Sequence, residues 1–269
     1  MTSNEPAAES TPPSGARARQ DLANTFVELA DTMVADFDLL DFLHLLAERT
    51  VELLDVTAAG LMLADQRGRL RVLASTSEQT RLLELFELQN SEGPCLDSFR
   101  TGEQVVNIDP AEALRRWPAF VPEAAAGGFV VHALPLRLRG DVIGSINLFC
   151  SDKATLSTED IEVGQALADV ATIGLLSQAS NVHDNGIIVE SVQAALNARI
   201  VVEQAKGVVA ETLRVDMENG FELIRAHAHH SGKKITAVAE GLITGAIPAT
   251  ELSSTSVGTS AMGAVQRRD

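Results

Sequence analysis

Apolar side chains recur at helical spacing over the first third of the chain. In DLANTFVELADTMVADFDLLDFLHLLAERTVELLDV, Phe26, Leu29, Ala30 and Met33 share one stripe, and Leu39, Phe42, Leu43, Leu46, Ala47 and Val51 share another. Two helices are predicted, broken near Asp36 to Asp38, with Asp38 as the N-cap of the second. The rhythm then shortens. AAGLMLAD and RLRVLAST flank the turn signal DQRG and predict a β-hairpin. A helix follows in SEQTRLLELFELQ, and SEGPCLDSFRTGEQVVNID reads as a loop, a short helix and a brief strand. In GGFVVHALPLRLRGDVIGSINLFC two strands meet at an RGD turn, with His132, Leu134, Leu136 and Leu138 on one face and Val142, Gly144, Ile146 and Leu148 opposite. Thr158 to Leu176 is a long helix. Strands flanked by helices over residues 21–180 predict an α+β domain with an antiparallel sheet.

Residues 181–247 change character. IIVESVQAALNARIVVEQAKGVVAETL, DMENGFELIRAHAHHSG and KKITAVAEGLIT are three helices of decreasing length, with Asp216 placed to cap the second and Gly232 to end it. Outside these units, residues 1–20 and 248–269 are polar, rich in Pro, Ser and Ala or in Ser and Thr, and without apolar periodicity; both are expected to lack fixed structure.

Charge separates the two units further. The net charge is −16. Residues 1–186 carry 13 basic and 28 acidic side chains, whereas 187–247 carry 6 and 7. The acidity argues against a generic polyanion binder and leaves any nucleic-acid contact to the helical unit. No apolar run is long enough to span a membrane, and no apolar leader follows the first charges, so a cytoplasmic protein with no membrane partner is expected. The two cysteines, Cys95 and Cys150, are too few for a disulfide framework.

The order of elements over 21–180, with the closing segment HALPLRLRGDVIGSINLFCSDKATLSTEDIEVGQALADVATIGL and the SEGPC loop, resembles a GAF domain. The run from Leu196 to Ile243 resembles the ANTAR domain, a three-helix RNA-binding module of bacterial transcription antitermination regulators. It carries the A-K-G core at Ala205 to Gly207, the F-x-x-L/I-R-x-x-A pattern from Phe221 to Ala228, and the V-A of the third helix. The pairing is similar to the GAF-ANTAR regulators of actinobacteria. It implies a GAF-like α+β sensor domain followed by an all-α ANTAR domain, with a dimer binding paired RNA hairpins with six-nucleotide loops in nascent transcripts, so that a terminator does not form. The signal at the GAF domain, a small molecule or a protein, is left open. The family's Ser, Glu and Ala ahead of the second-helix Phe are here replaced by Asp216, Asn219 and Gly220, and Gly220 lowers helix preference by about 1 kcal/mol.

The residues support an RNA role on their own terms. Arg199 and Lys206 are seven positions apart and nearly superimposed on one helical stripe, with Glu203 between them, while Val201, Ala205, Val208 and Val209 form a separate apolar arc. Gly207 weakens the helix, and its missing Cβ would admit another backbone, either a nucleic-acid strand or the third helix. Arg225, Lys233 and Lys234 add basic groups from the other two helices. Arg199, Ala205, Lys206, Gly207, Arg225, Lys233 and Lys234 are thus the candidate RNA-binding residues. Phe221 is the only Phe, Trp or Tyr between 187 and 247, so recognition is expected to rest on shape and phosphates rather than on base stacking.

No catalytic motif is present, and neither a cofactor nor a metal site is predicted; His227 and His230 lack further ligands at suitable spacing. The cyclic-nucleotide pattern of some GAF domains is missing. Cys95 borders the expected ligand pocket as a possible redox or ligand-contacting thiol, and a small buried residue is the plainer reading. His132 reads as a core histidine. Two rival functions make different predictions: a DNA-binding regulator would prefer duplex DNA, and a GAF-fold thiol-dependent methionine sulfoxide reductase would turn over through Cys95. Finally, Ile161, Leu167, Val170, Ile173 and Leu176, then Ile188, Val192 and Leu196, leave an apolar seam suited to a homodimer through linker helices, interrupted by NVHDNG at 181–186.

Overall fold

The structure, a computed structural model, describes residues 14–33, 38–138, 140–151, 155–177 and 185–252. Two helices, α1 (Ser14–Thr32) and α2 (Leu39–Leu54), lead into the hairpin β1 (Ala58–Ala64) and β2 (Leu70–Ser75). Four helices follow: α3 (Glu78–Asn90), α4 (Pro94–Thr101), α5 (Pro110–Arg116) and α6 (Phe120–Ala126). The second hairpin, β3 (Phe129–Leu138) and β4 (Asp141–Ser151), precedes α7 (Thr158–Ser177), and α8 (Asn185–Leu213), α9 (Met217–Ser231) and α10 (Ile235–Thr244) close the described chain.

The four strands form one antiparallel sheet in the order β2-β1-β4-β3. Its central strands are buried on both faces, and the two-residue side-chain period sorts them cleanly. Ala59, Leu61 and Leu63 of β1 enter the core that holds α2 and α7, whereas Ala58 and Met62 enter a second core with Leu83, Cys95, Trp117 and Phe120 on the α3–α6 side. Helices α2 and α7 approach closely because Gly174 has no side chain: a Cβ there would lie 2.2 Å from Phe42 Cε1.

Asp38 caps α2 as its position predicted, with Oδ1 accepting from Leu40 N at 3.0 Å and Asp41 N at 3.4 Å. Its other oxygen accepts from Ile235 N at 2.6 Å. One carboxylate thus serves the first turns of α2 and α10, and α10 needs this, since its own N-cap residue Lys234 supplies no side-chain bond.

The boundaries differ from the sequence reading in three places. Helix α1 begins at Ser14, inside the segment expected to lack structure. Ala249 and Leu252 are buried, so packing continues past residue 247. The stretch 110–126, which the apolar pattern left unassigned, holds two short helices, the first begun by Pro110 and the capping Asp109. Within the NVHDNG interruption, residues 181–184 lie outside the described residues and α8 starts at Asn185. The apolar seam is largely used within the chain: Leu167, Val192 and Leu196 are buried, while Ile173 stays 54% exposed.

Candidate functional site

Helices α8, α9 and α10 share a core of Val202, Ala205, Val209, Phe221, Ile224, Ala228, Val238, Ala239 and Leu242. Ala205, one of the candidate RNA residues, is a fully buried member of that core. Gly220, a weak helix former within α9, has a packing reason: a Cβ there would sit 3.3 Å from the Lys206 carbonyl oxygen. It allows α9 to lie close against α8. Asp216 caps α9 through Asn219 N at 2.7 Å, and Gly232 ends it in the left-handed conformation, both as predicted.

Two candidate basic side chains bond the α+β unit, and a third lies beside it. Arg225 donates from Nε to Asp41 Oδ1 at 2.9 Å and from Nη1 to Glu48 Oε1 and Oε2 at 2.9 and 3.1 Å, and its side chain is only 15% exposed. Burial disfavours the guanidinium charge, yet the Glu48 and Asp41 carboxylates outweigh burial and hold its pKa above the ordinary value. Arg199 donates to the Leu73 carbonyl at 2.9 Å and pairs with Glu203 at 2.7 Å. Lys206 is buried, with Nζ 3.1 Å from Glu203 Oε1 and 5.9 Å from the Phe221 ring centre. Burial pushes its pKa below the ordinary lysine value, and Glu203 opposes the shift.

The other candidates face outward. Lys233 and Lys234 are exposed at the start of α10. Gly207 is also exposed, with nothing within 4 Å of where its Cβ would stand. Gly207 therefore does not make room for α10.

Residues absent from the sequence reading complete the contact. His44, buried on α2, places Nε2 3.4 Å from Glu48 Oε1 and 3.7 Å from Glu222 Oε1 of α9, and its ring meets Phe221 edge-on at 4.5 Å. Burial works against the imidazolium, but Glu222 and Glu48 prevail and raise its pKa. The Glu48 carboxyl is held at about 2: burial opposes the charge, and His44 and Arg225 overcome it. His229 adds a contact to Asp41 Oδ2 at 2.9 Å. Among the described residues, His44, Glu48 and Glu222 are the one grouping spaced closely enough to hold a metal ion. Arg225 already bonds both Glu48 oxygens, so the arrangement reads as an ion-pair network in which Arg225 is the cation. The acidic stripe Asp38, Asp41 and Glu48 thus occupies the polar groups of α9 and α10.

A second polar cluster lies inside the α+β unit. Glu84 and Glu87 are fully buried on α3. Glu87 Oε1 accepts from Cys95 N at 2.8 Å and Leu96 N at 3.2 Å, capping α4 from outside, and burial raises its pKa to about 8. Glu84 Oε1 accepts from Asn147 Nδ2 at 3.3 Å, and burial followed by Glu87 raises its pKa well above the carboxylate range. Cys95 is completely buried; burial and Glu87 push its thiol well above the ordinary value, the opposite of an activated nucleophile. His132 accepts from Asn107 N at 3.1 Å within the core, as a core histidine should.

Comparison with known proteins supplies the family. The GAF-domain model matches residues 38–175 and the ANTAR-domain model matches residues 190–243. No curated protein matches the chain. Among solved structures, it is similar to the GAF domain of an Acinetobacter phosphoenolpyruvate-protein phosphotransferase, at 16% identity and TM-score 0.46, over 60% of this chain and 97% of that one. The GAF domain of the Coxiella burnetii phosphoenolpyruvate-protein phosphotransferase matches at 17% identity and TM-score 0.47, over 61% and 95%. The free methionine-R-sulfoxide reductase of Neisseria meningitidis, in complex with its substrate, matches at 18% identity and TM-score 0.46, over 69% and 96%.

Proposed function

This chain belongs to the GAF-domain family and carries an ANTAR domain behind its GAF domain, and from that premise we propose that it is an RNA-binding transcription antitermination regulator whose GAF domain gates its RNA-binding module. The observation that carries the reading is the position of Arg225. The guanidinium expected to meet phosphate is held by two carboxylates of the GAF domain, Asp41 and Glu48. Carboxylates at those positions occupy the donors that phosphate oxygens would otherwise take.

In this reading the described arrangement is the resting one. A signal at the GAF domain that favours undocking frees Arg199, Lys206 and Arg225, and with the already exposed Gly207, Lys233 and Lys234 they form the RNA face. A signal can shift this balance only by its differential affinity for the docked and undocked states. Val208 of α8, 38% exposed, and Ile173 of α7, 54% exposed, offer apolar surface for a homodimer in which each module takes one RNA hairpin. The protein is not an enzyme in this account: the buried thiol of Cys95 suits a structural role.

The test is binding of the full chain to an RNA bearing two hairpins with six-nucleotide loops, against duplex DNA of equal length, at two salt concentrations. Preference for the RNA, weakened by salt and lost in a Lys206→Ala, Arg225→Ala variant, supports the reading. Tighter binding to duplex DNA contradicts it.

A further inference from the structure

A groove of about 810 Å³ runs between the β1–β2 hairpin and α8. Five guanidiniums stand along it: Arg67, Arg69 and Arg71 from the hairpin, Arg81 from α3 and Arg199 from α8. Only two carboxylates, Asp65 and Glu203, share its walls. This is an unusual local surplus in a chain of net charge −16.

Asp65 cannot neutralise the hairpin. Its Oδ1 is taken by the backbone N–H groups of Arg67 and Arg69 at 2.9 and 3.0 Å, and its Oδ2 lies 3.4 Å from Arg69 Nε and 3.3 Å from Arg71 Nε. One negative charge faces three positive ones. The Arg69 and Arg71 side chains remain 58% and 50% exposed, so their donors reach the groove. Arg81 is paired with Glu78, and Arg199 with Glu203, which makes the hairpin the source of the excess.

The rest of the lining is three glutamines, Gln66, Gln193 and Gln204, and a set of apolar side chains. Val72, Leu85, Leu88, Leu196 and Ile200 form a surface on which a flat ring can lie. The volume falls within the range of small-molecule sites. Planar guanidinium forks match phosphate oxygens in pairs, and several forks in one groove favour a ligand with several phosphate charges over a single carboxylate.

We propose that the groove between the β1–β2 hairpin and α8 is a binding site for a nucleoside polyphosphate, with its phosphates on Arg67, Arg69 and Arg71 and its base against Leu85, Leu196 and Ile200. Its walls come from both domains. A ligand held by both stabilises their docked arrangement, because the undocked chain has only half of the site. The binding site itself stands independently of the RNA reading; only a consequence for RNA affinity would rest on it.

The experiment is calorimetric titration of the full chain with ATP and GTP, free of divalent cations and at low salt, beside inorganic tripolyphosphate and adenosine as separate probes. Saturable binding of at least one nucleotide, tighter than tripolyphosphate and adenosine, is expected. Arg67→Gln, Arg69→Gln, Arg71→Gln together should weaken it roughly tenfold or more, since each contact is a charge-assisted hydrogen bond. Ile200→Glu, at an exposed position, should weaken nucleotide binding more than tripolyphosphate binding. Amide exchange over residues 65–72 and 193–204 should slow in the presence of the nucleotide. No saturation by about 1 mM, equal affinity for tripolyphosphate, or nucleotide binding unchanged in the triple variant would overturn the proposal. Loss of RNA binding by the wild-type chain would leave these outcomes unaffected and would count against the RNA reading alone.

Discussion

Arg225 on α9 and Asp41 on α2, 184 positions apart, meet at 2.9 Å between Nε and Oδ1. The same guanidinium reaches Glu48 about two helical turns further along α2. Both partners are largely shielded, so removing one side leaves a charge in poor solvent. Asp41→Asn with Glu48→Gln should therefore loosen the docking of α9 on α2. Faster amide exchange in residues 217–231, with little change in the sheet strands, is the expected outcome. Unchanged exchange would show that the contact does not hold the domains together.

Gly207 and Gly220 should respond unequally to alanine. At Gly207 a methyl meets nothing within 4 Å, so Gly207→Ala should stabilise α8 by up to about 1 kcal/mol. If RNA approaches that backbone, the same variant should bind RNA more weakly while melting higher. At Gly220 the methyl would press on the Lys206 carbonyl at 3.3 Å, which offsets the gain in helix preference. Gly220→Ala should gain less stability than Gly207→Ala in urea denaturation, and the reverse order would contradict this account of the packing.

Asp38 bonds the first turns of two helices in different domains. Loss of a single cap costs about 1 kcal/mol, so Asp38→Ala should cost somewhat more and should release the start of α10 as well as α2. Thermal melting gives the first part, and faster exchange at the Ile235 amide gives the second. A loss confined to α2 would show that the cross-domain bond contributes nothing.

Glu87 titrates at about 8 in the folded chain against an ordinary value of 4.5. The folded state thus retains a proton that the unfolded chain releases. Its contribution to stability is fully present below pH 4.5 and is lost as pH rises through about 8, with Glu84 acting in the same direction. Glu87→Gln should flatten this part of the stability profile, because the amide oxygen can still accept from Cys95 and Leu96 without titrating. Urea midpoints measured from about pH 5 to 8 decide the matter; an unchanged slope would assign the titration elsewhere.

The fold was largely legible in the sequence because local rules governed it. The DQRG turn signal placed the first hairpin and two-residue alternation the second, the DFDLL run placed the Asp38 cap, and Asp216 and Gly232 delimited α9. The family of each domain was legible from the AKG core and from the order of elements. The docking was not. Arg199 and Lys206 share a stripe that reads as solvated, and nothing near them in sequence announces that Leu73 and the α2 face cover it. Arg225 resembles any surface arginine until α2 supplies its carboxylates. Glu84 and Glu87 likewise look like the polar face of α3, and only the sheet packed over them makes them buried. Long-range charge pairing carries no period, so it leaves no trace in a pattern of apolar and polar positions.

The central claim is that carboxylates of the GAF domain hold the RNA-binding groups of the ANTAR domain. Its most direct test is the affinity of the two-hairpin RNA for the wild-type chain beside the Asp41→Asn, Glu48→Gln variant, at one salt concentration. The account predicts tighter binding by the variant, by roughly tenfold as for a typical coupling between sites. Equal or weaker binding by a folded variant would mean that α2 does not mask the RNA face.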